Sequence, residues 1–172
     1  MTIQDCPISN VRWIEVQQLK ANDYNPNVVF SDEMKLLRFS ILKNGWIQPI
    51  LVTKDLVIID GFHRATLAKK YADVTCRGLV PCCVMDISEP ERMLLTIRIN
   101  RAKGKHIAIK MHDIVLQLVN DYQYTPAQIA EGIGARKEEV ELLLKQGVFE
   151  AKNITEETQY SKAWYPVPNG HA

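Results

Sequence analysis

Residues 49–85 hold the order of segments that constrains the fold most: two β-rich runs, a glycine, a helical stretch and a further β-rich run. Pro49 to Thr53 (PILVT) and Leu56 to Ile59 (LVII) are separated only by Lys54 and Asp55, the spacing of a hairpin, although the turn lacks the favoured glycine. Gly61 breaks the second run. His63 to Tyr71 then reads as a helix with Ala65, Leu67, Ala68 and Tyr71 available for packing, and Val80 to Met85 restores strand character. A strand that passes through a glycine into a helix and returns as a strand calls for a sheet with helices laid on it.

The flanking segments extend this reading. Val11 to Val16 alternates as a short strand and runs into Asn22 to Asn27, a dense cluster of turn residues. Ser31 suits an N-cap, Met34, Leu37 and Ile41 recur at helical spacing, and Gly45 suits a left-handed stop, which predicts a helix over about 32–43. Ser88-Glu-Pro-Glu91 combines a cap serine, an early proline and a glutamate three residues after the cap, so a helix starts there and runs to about Asn100. Ile107, Met111, Ile114 and Leu118 form one stripe of another helix. Thr125-Pro126 opens a third that stops near Gly132 to Gly134, and a last one covers about Lys137 to Gln146. The fold class expected is α+β: a mixed sheet with flanking helices over 1–88, an all-helical portion over 89–150, and a tail over 151–172 without periodicity.

Composition narrows the function classes. At 172 residues, with 47% hydrophobic and 24% charged residues, the chain sits at the globular average and buries roughly 70% of its unfolded surface on folding. Lys+Arg 21 against Asp+Glu 20 excludes nucleic-acid binding by bulk positive charge, so any such binding needs a local patch. Cys6, Cys76, Cys82 and Cys83 form no C-x-x-C pair and read as reduced core thiols. His63, His106, His112 and His171 lack the spacing that sets two imidazoles on one helix face. No apolar run approaches a membrane span and the first residues carry no apolar signal core, so the cytoplasm is the compartment expected and no membrane partner is.

Ile58-Ile-Asp-Gly-Phe-His-Arg-Ala65 is the sharpest chemical feature. A strand ends, a glycine permits close backbone approach, and His63 and Arg64 fall on the first turn of a helix. Helix-start amides, the positive end of the dipole and an arginine fork all favour an anion. A capped helix whose Arg64 pairs with Asp60 for structural reasons explains the same letters, and spacing alone leaves the two readings equal. A second feature is Arg98 to His106, where Arg98, Arg101, Lys103, Lys105 and His106 stand without an acid at a helix end. Such a run is ordinarily a solvated face, and cations at a helix C-terminus also suit the dipole. Towards the end, Ala130, Gly134 and Val140 occupy the small, turn and apolar positions of a helix-turn-helix. Residues 126–150 carry five acids (Glu131, Glu138, Glu139, Glu141, Glu150) against three bases (Arg136, Lys137, Lys145), a balance that repels phosphate. Packing or a protein contact is the role expected of that region. Arg98, Lys110, Arg136 and Lys137 remain the candidate DNA contacts. Trp164, Tyr165, Pro166 and Pro168 in the tail suit packing back on the domain or holding a protein partner.

Asn25-Pro26, Ser40 to Ile50 (SILKNGWIQPI), Ile59 to Ala65 (IDGFHRA) and Ile99-Asn-Arg101 resemble, in this order, the motif series of ParB-type N-terminal domains. The wording around Asn100 and the Ser-Lys-Ala-Trp tail are similar to short phage- and prophage-borne ParB-like proteins, including the IbrB-type regulators. The resemblance covers about residues 11–150 and implies the ParB/sulfiredoxin fold with a helix-turn-helix-like helical region after it. It also implies a pocket for CTP, or for ATP as in kinase relatives, with Mg2+. The triphosphate would be cradled by Gly61, Phe62, His63 and Arg64, with Asn100 and Arg101 in the second phosphate-contacting box and Lys103 and Lys105 behind them. His63 and Asp60 would be the catalytic groups of slow hydrolysis. Where the family has a magnesium-holding glutamate this chain has Ile99, leaving Asp60 as the candidate metal carboxylate. Phe62 replaces the sulfiredoxin cysteine, so sulfinic-acid repair is not expected. Similarity of the Asp60 to Arg64 box to free-serine kinases keeps an ATP-dependent small-molecule kinase as an alternative, with Asp23 and Glu33 as available carboxylates; a nuclease is a further one. Partners implied are a nucleoside triphosphate, DNA, a protein bound through the helical region or tail, and a second copy of the chain.

Overall fold

The computed structural model describes residues 2–22, 31–102 and 108–145, with the backbone alone at 31, 32, 101 and 108–110. It is an α+β fold built on a four-stranded mixed sheet. Strand β1 spans Val11–Glu15, β2 Ile50–Thr53, β3 Ile58–Asp60 and β4 Leu79–Met85, in the order β1-β4-β2-β3. β1 and β4 are antiparallel, with Trp13 opposite Pro81; β4 and β2 are parallel, with Ile50 opposite Cys82; β2 and β3 form the expected antiparallel hairpin. The hairpin turn that lacks glycine is completed by Leu56, which takes φ 63 itself, and Val57 N–H donates to Thr53 Oγ1 at 3.1 Å. The side chain of Thr53 thus holds a turn that residue preference alone does not favour.

Helix α1 covers Ser31–Asn44, α2 Phe62–Lys70, α3 Glu89–Ala102, α4 Ala108–Asn120, α5 Pro126–Ile133 and α6 Lys137–Leu144. The expected helices are all there with ends shifted by a residue or two, Ser31 lying inside α1 rather than before it. Gly45 ends α1 at φ 75 and donates to Ile41 O at 2.8 Å, while Gly134 ends α5 at φ 66. Thr125 caps α5 reciprocally with Gln128, and Ser88 N–H and Oγ both donate to Glu91 Oε2 at the start of α3, so two of the helix starts read from capping residues are made by those residues.

Buried apolar residues fall into two clusters. Ile50, Val52, Ile58, Val80 and Cys82 of the sheet pack with Ile41 of α1 and Ala65, Leu67 and Ala68 of α2. Met93, Leu94 and Ile97 of α3 pack with Met111, Ile114, Val115 and Leu118 of α4, Ile129 and Ile133 of α5, and Val140 and Leu143 of α6. Helix α3 also packs on β3, so it joins the two. The four cysteines are free, but only Cys82 and Cys83 are buried; Cys76 is exposed and Cys6 half-exposed, which corrects the reading of all four as core thiols. Cys76 sits in the Cys76–Leu79 turn, where Gly78 takes φ 83 and holds the chain at the surface. Among the described residues no helix is long and apolar enough to cross a membrane. Asp23, Asn25, Pro26, Lys103, Lys105, His106 and the tail lie outside the described residues, as do the side chains of Arg101 and Lys110.

Candidate functional site

Burial fixes where β3 ends. Ile58 and Ile59 are both 2% exposed, so this strand cannot slide without exposing one of them. The next residue, Asp60, emerges at the sheet edge, and Gly61 turns the chain with φ 92 and ψ 22 directly into α2. A side chain at 61 would be strained by that φ, and its Cβ would lie 3.3 Å from Ile50 Cα and 3.2 Å from Arg64 Cζ and Nη2. Helix α2 therefore begins with no side-chain cap and with no acid in its first turn, while Lys69 and Lys70 occupy its last. First-turn amides without intrahelical acceptors and the positive dipole end together offer an anion a place at Phe62 to Arg64. His63 is half-buried. Phe62 packs its ring against the sheet core, which leaves its backbone amide as what it can offer a ligand.

Arg64 reaches back over Gly61 rather than outward. Its Nη1 donates to Gln48 O and Pro49 O, both at 2.7 Å, and its Nη2 to Asp60 Oδ2 at 3.2 Å. The Arg64 side chain is 13% exposed, against 25% for Asp60. Desolvation lowers the arginine pKa and the Asp60 charge opposes that fall. The ion pair that sequence spacing left as an equal reading is thus present, and two carbonyl partners join it that no spacing rule suggested. The one signal for them was Gly45-Trp-Ile-Gln-Pro49, where Trp46 Nε1 donates to Val74 O at 2.7 Å and pins the segment that carries the two carbonyls.

The second expected box lies on α3, the helix that packs on β3. Arg98 and Asn100 are exposed and Ile99 is half-buried near the C-terminal end of α3, and Arg101 lies in its last turn. Asp60 to Arg64 are thus contiguous at one corner of the sheet, beside the helix that bears Asn100. Of the candidate DNA contacts, Arg98 stands on α3, whereas Arg136 and Lys137 stand at the start of α6, where Lys137 pairs with Glu141 at 3.2 Å. Magnesium was expected at Asp60. That carboxylate is engaged by Arg64, position 99 is an isoleucine, and no group of three His, Cys, Asp or Glu suited to a metal occurs among the described residues. This donor set does not fit a protein-held magnesium site.

Residues 2–100, more than half of the chain, match the ParB N-terminal domain. The chain belongs to this family. The Escherichia coli K12 protein YbdM is 37% identical over 164 residues, which span 92% of this chain and 77% of YbdM. A probable chromosome-partitioning protein ParB of Rickettsia bellii is 27% identical over 136 residues, 78% of this chain and 46% of that one. The chain spans less than half the length of this partitioning protein. Among solved structures, the C-terminally truncated ParB of Caulobacter crescentus complexed to the centromeric parS site matches with TM-score 0.52 and 20% identity, covering 83% of this chain and 78% of that one. A Pnob8-like ParB-N domain matches with TM-score 0.50 and 16% identity over 71% of this chain and 48% of that one. At these identities the two structures establish a shared fold.

Proposed function

We propose that this ParB-like protein is a nucleotide-binding regulator that associates with DNA, with the phosphates of CTP or ATP held at the start of α2. The observation that carries the reading is the uncapped helix start behind a left-handed glycine at the end of a buried strand, in a chain whose residues 2–100 match the ParB N-terminal domain. Gly61 lets phosphate approach the backbone, and the amides of Phe62, His63 and Arg64 donate to it. His63 stands close enough along the chain to serve a phosphate or a leaving oxygen during slow hydrolysis. Asn100, Arg101, Lys103 and Lys105 would close the far side. Magnesium would come with the nucleotide, coordinated mainly by its phosphates and water, as is common for this ion. DNA association is supported by the parS complex of the Caulobacter relative of like fold, and the role in phage or mobile elements by the wording around Asn100. A second copy of the chain completes the proposed partners.

Thermal-shift titration with CTP, ATP, GTP and their diphosphates, with and without magnesium, tests the pocket. A ligand at about 100 times its Kd stabilises by about 2.7 kcal/mol, which for a domain of this size raises Tm by several degrees. No shift with any nucleotide at millimolar concentration would end the proposal. Release of inorganic phosphate, measured in the same samples, tests hydrolysis separately.

A further inference from the structure

Arg64 is the cation that sequence reasoning aims at the ligand, yet its surroundings in the folded chain are those of a strut. It is the third residue of α2 and folds back across the N-cap, so that its guanidinium lies against Gly61, 3.2 Å from where a Cβ would stand. Three of the five N–H donors of a guanidinium are engaged by protein oxygens from two other segments: the carbonyls of Gln48 and Pro49, and the carboxylate of Asp60. Those segments are the end of the α1–β2 connection and the last residue of β3. Pro49 and Gln48 lie just before the register of β2 with β4, which starts at Ile50. Removing the largely desolvated guanidinium would take away at once the three bonds that tie these segments together.

We infer that Arg64 is a positioning residue, which ties the Gln48–Pro49 segment and Asp60 to the start of α2 and so shapes the anion site without forking onto the phosphates itself. The inference rests on the proposed nucleotide site for its ligand, and it changes what that site is made of. With Arg64 engaged by Asp60, the attraction on phosphate at this corner comes from the α2 amides. It also gives Gly61 a second reason to be glycine: a Cβ there would press on the guanidinium at 3.2 Å.

Two measurements on Arg64→Ala and Arg64→Lys decide it. Hydrogen exchange of the ligand-free protein should show protection at Gln48, Ile50 and Leu51 falling at least tenfold in Arg64→Ala and recovering in part in Arg64→Lys, whose ammonium reaches some of the same oxygens. Affinities for the nucleoside tri-, di- and monophosphate should then fall by one common factor, because the site is misshapen for all of them. Unchanged exchange in the ligand-free variant would show that Arg64 does not hold the segment, and a loss confined to the triphosphate would show that it touches phosphate directly; either result would overturn the inference. If the parent binds no nucleotide, the proposed function fails while the exchange measurement still decides the role of Arg64. Should Arg64→Ala not fold, the lysine variant carries both measurements.

Discussion

Gly61 carries two constraints that a single methyl group would violate together. Its φ of 92 is costly for any side chain, and the added Cβ would press on Ile50 Cα and the Arg64 guanidinium. Gly61→Ala is therefore expected to lose about 1–3 kcal/mol, the range for a non-glycine residue held in such a region, and to weaken nucleotide binding as the guanidinium is displaced. Urea unfolding checks the first; a change below about 0.5 kcal/mol, the scatter of neutral surface changes, would mean the turn relaxes freely. Cysteine reactivity is likewise set residue by residue. Burial, with Cys83 adjacent, pushes the Cys82 thiol up to about 11, and burial also raises Cys83. Thiolate is the reactive form, so brief alkylation at neutral pH should label Cys6 and Cys76 in the native protein and all four after denaturation. Mass spectrometry counts the adducts, and early labelling of Cys82 would contradict the packing. The glycine and the arginine at this corner were legible as letters of a phosphate-type box. The partners of Arg64 were not, because Gln48 and Pro49 lie sixteen and fifteen positions away and act through backbone carbonyls, which carry no residue identity.

Capping residues make the helix starts the best-read elements of the chain. Glu91 accepts from the Ser88 backbone and hydroxyl, and these bonds hold its carboxyl below the usual glutamate range, with Arg98 adding a smaller push in the same direction. A folded pKa below the unfolded one means the contribution to stability is present above the unfolded value and is lost as pH falls through the folded one. Ser88→Ala should raise the Glu91 pKa toward its ordinary value, read from the Glu91 side-chain carboxyl shift in an NMR titration; an unmoved midpoint would deny the cap. Packing between elements was less legible. Gly132 lies in α5 against Leu94 of α3, and a Cβ there would stand 2.8 Å from Leu94 Cδ1. Read in sequence as part of a helix stop, this glycine instead lets two helices approach, since α5 continues past it to Ile133. Gly132→Ala should gain helix propensity, up to about 1 kcal/mol, and lose about 1–3 kcal/mol to overpacking. A net loss in urea unfolding is the result expected, with recovery when Leu94→Val makes room; a net gain would show that Leu94 yields without strain.

Charge over the whole molecule is close to balanced, so DNA association depends on which faces carry the bases. Arg98 is exposed on α3, while Lys137 is paired with Glu141 among the acids of α6. If the proposed DNA association runs through the α3 end, Arg98→Ala should weaken DNA binding and reduce the log–log salt slope by about one, while Lys137→Ala should leave affinity within about twofold. Fluorescence anisotropy across a salt series reads both, and the reverse ranking would move the contact to α6. The sequence by itself determined the run of strands and helices, the hairpin, the caps and the two glycine stops, because each follows from residues within a few positions of one another. Tertiary structure alone decided the strand order β1-β4-β2-β3, the laying of α3 on β3 and the inward turn of Arg64. Those depend on burying apolar faces and satisfying buried charge across distant segments, and local residue preference carries no information about such pairings.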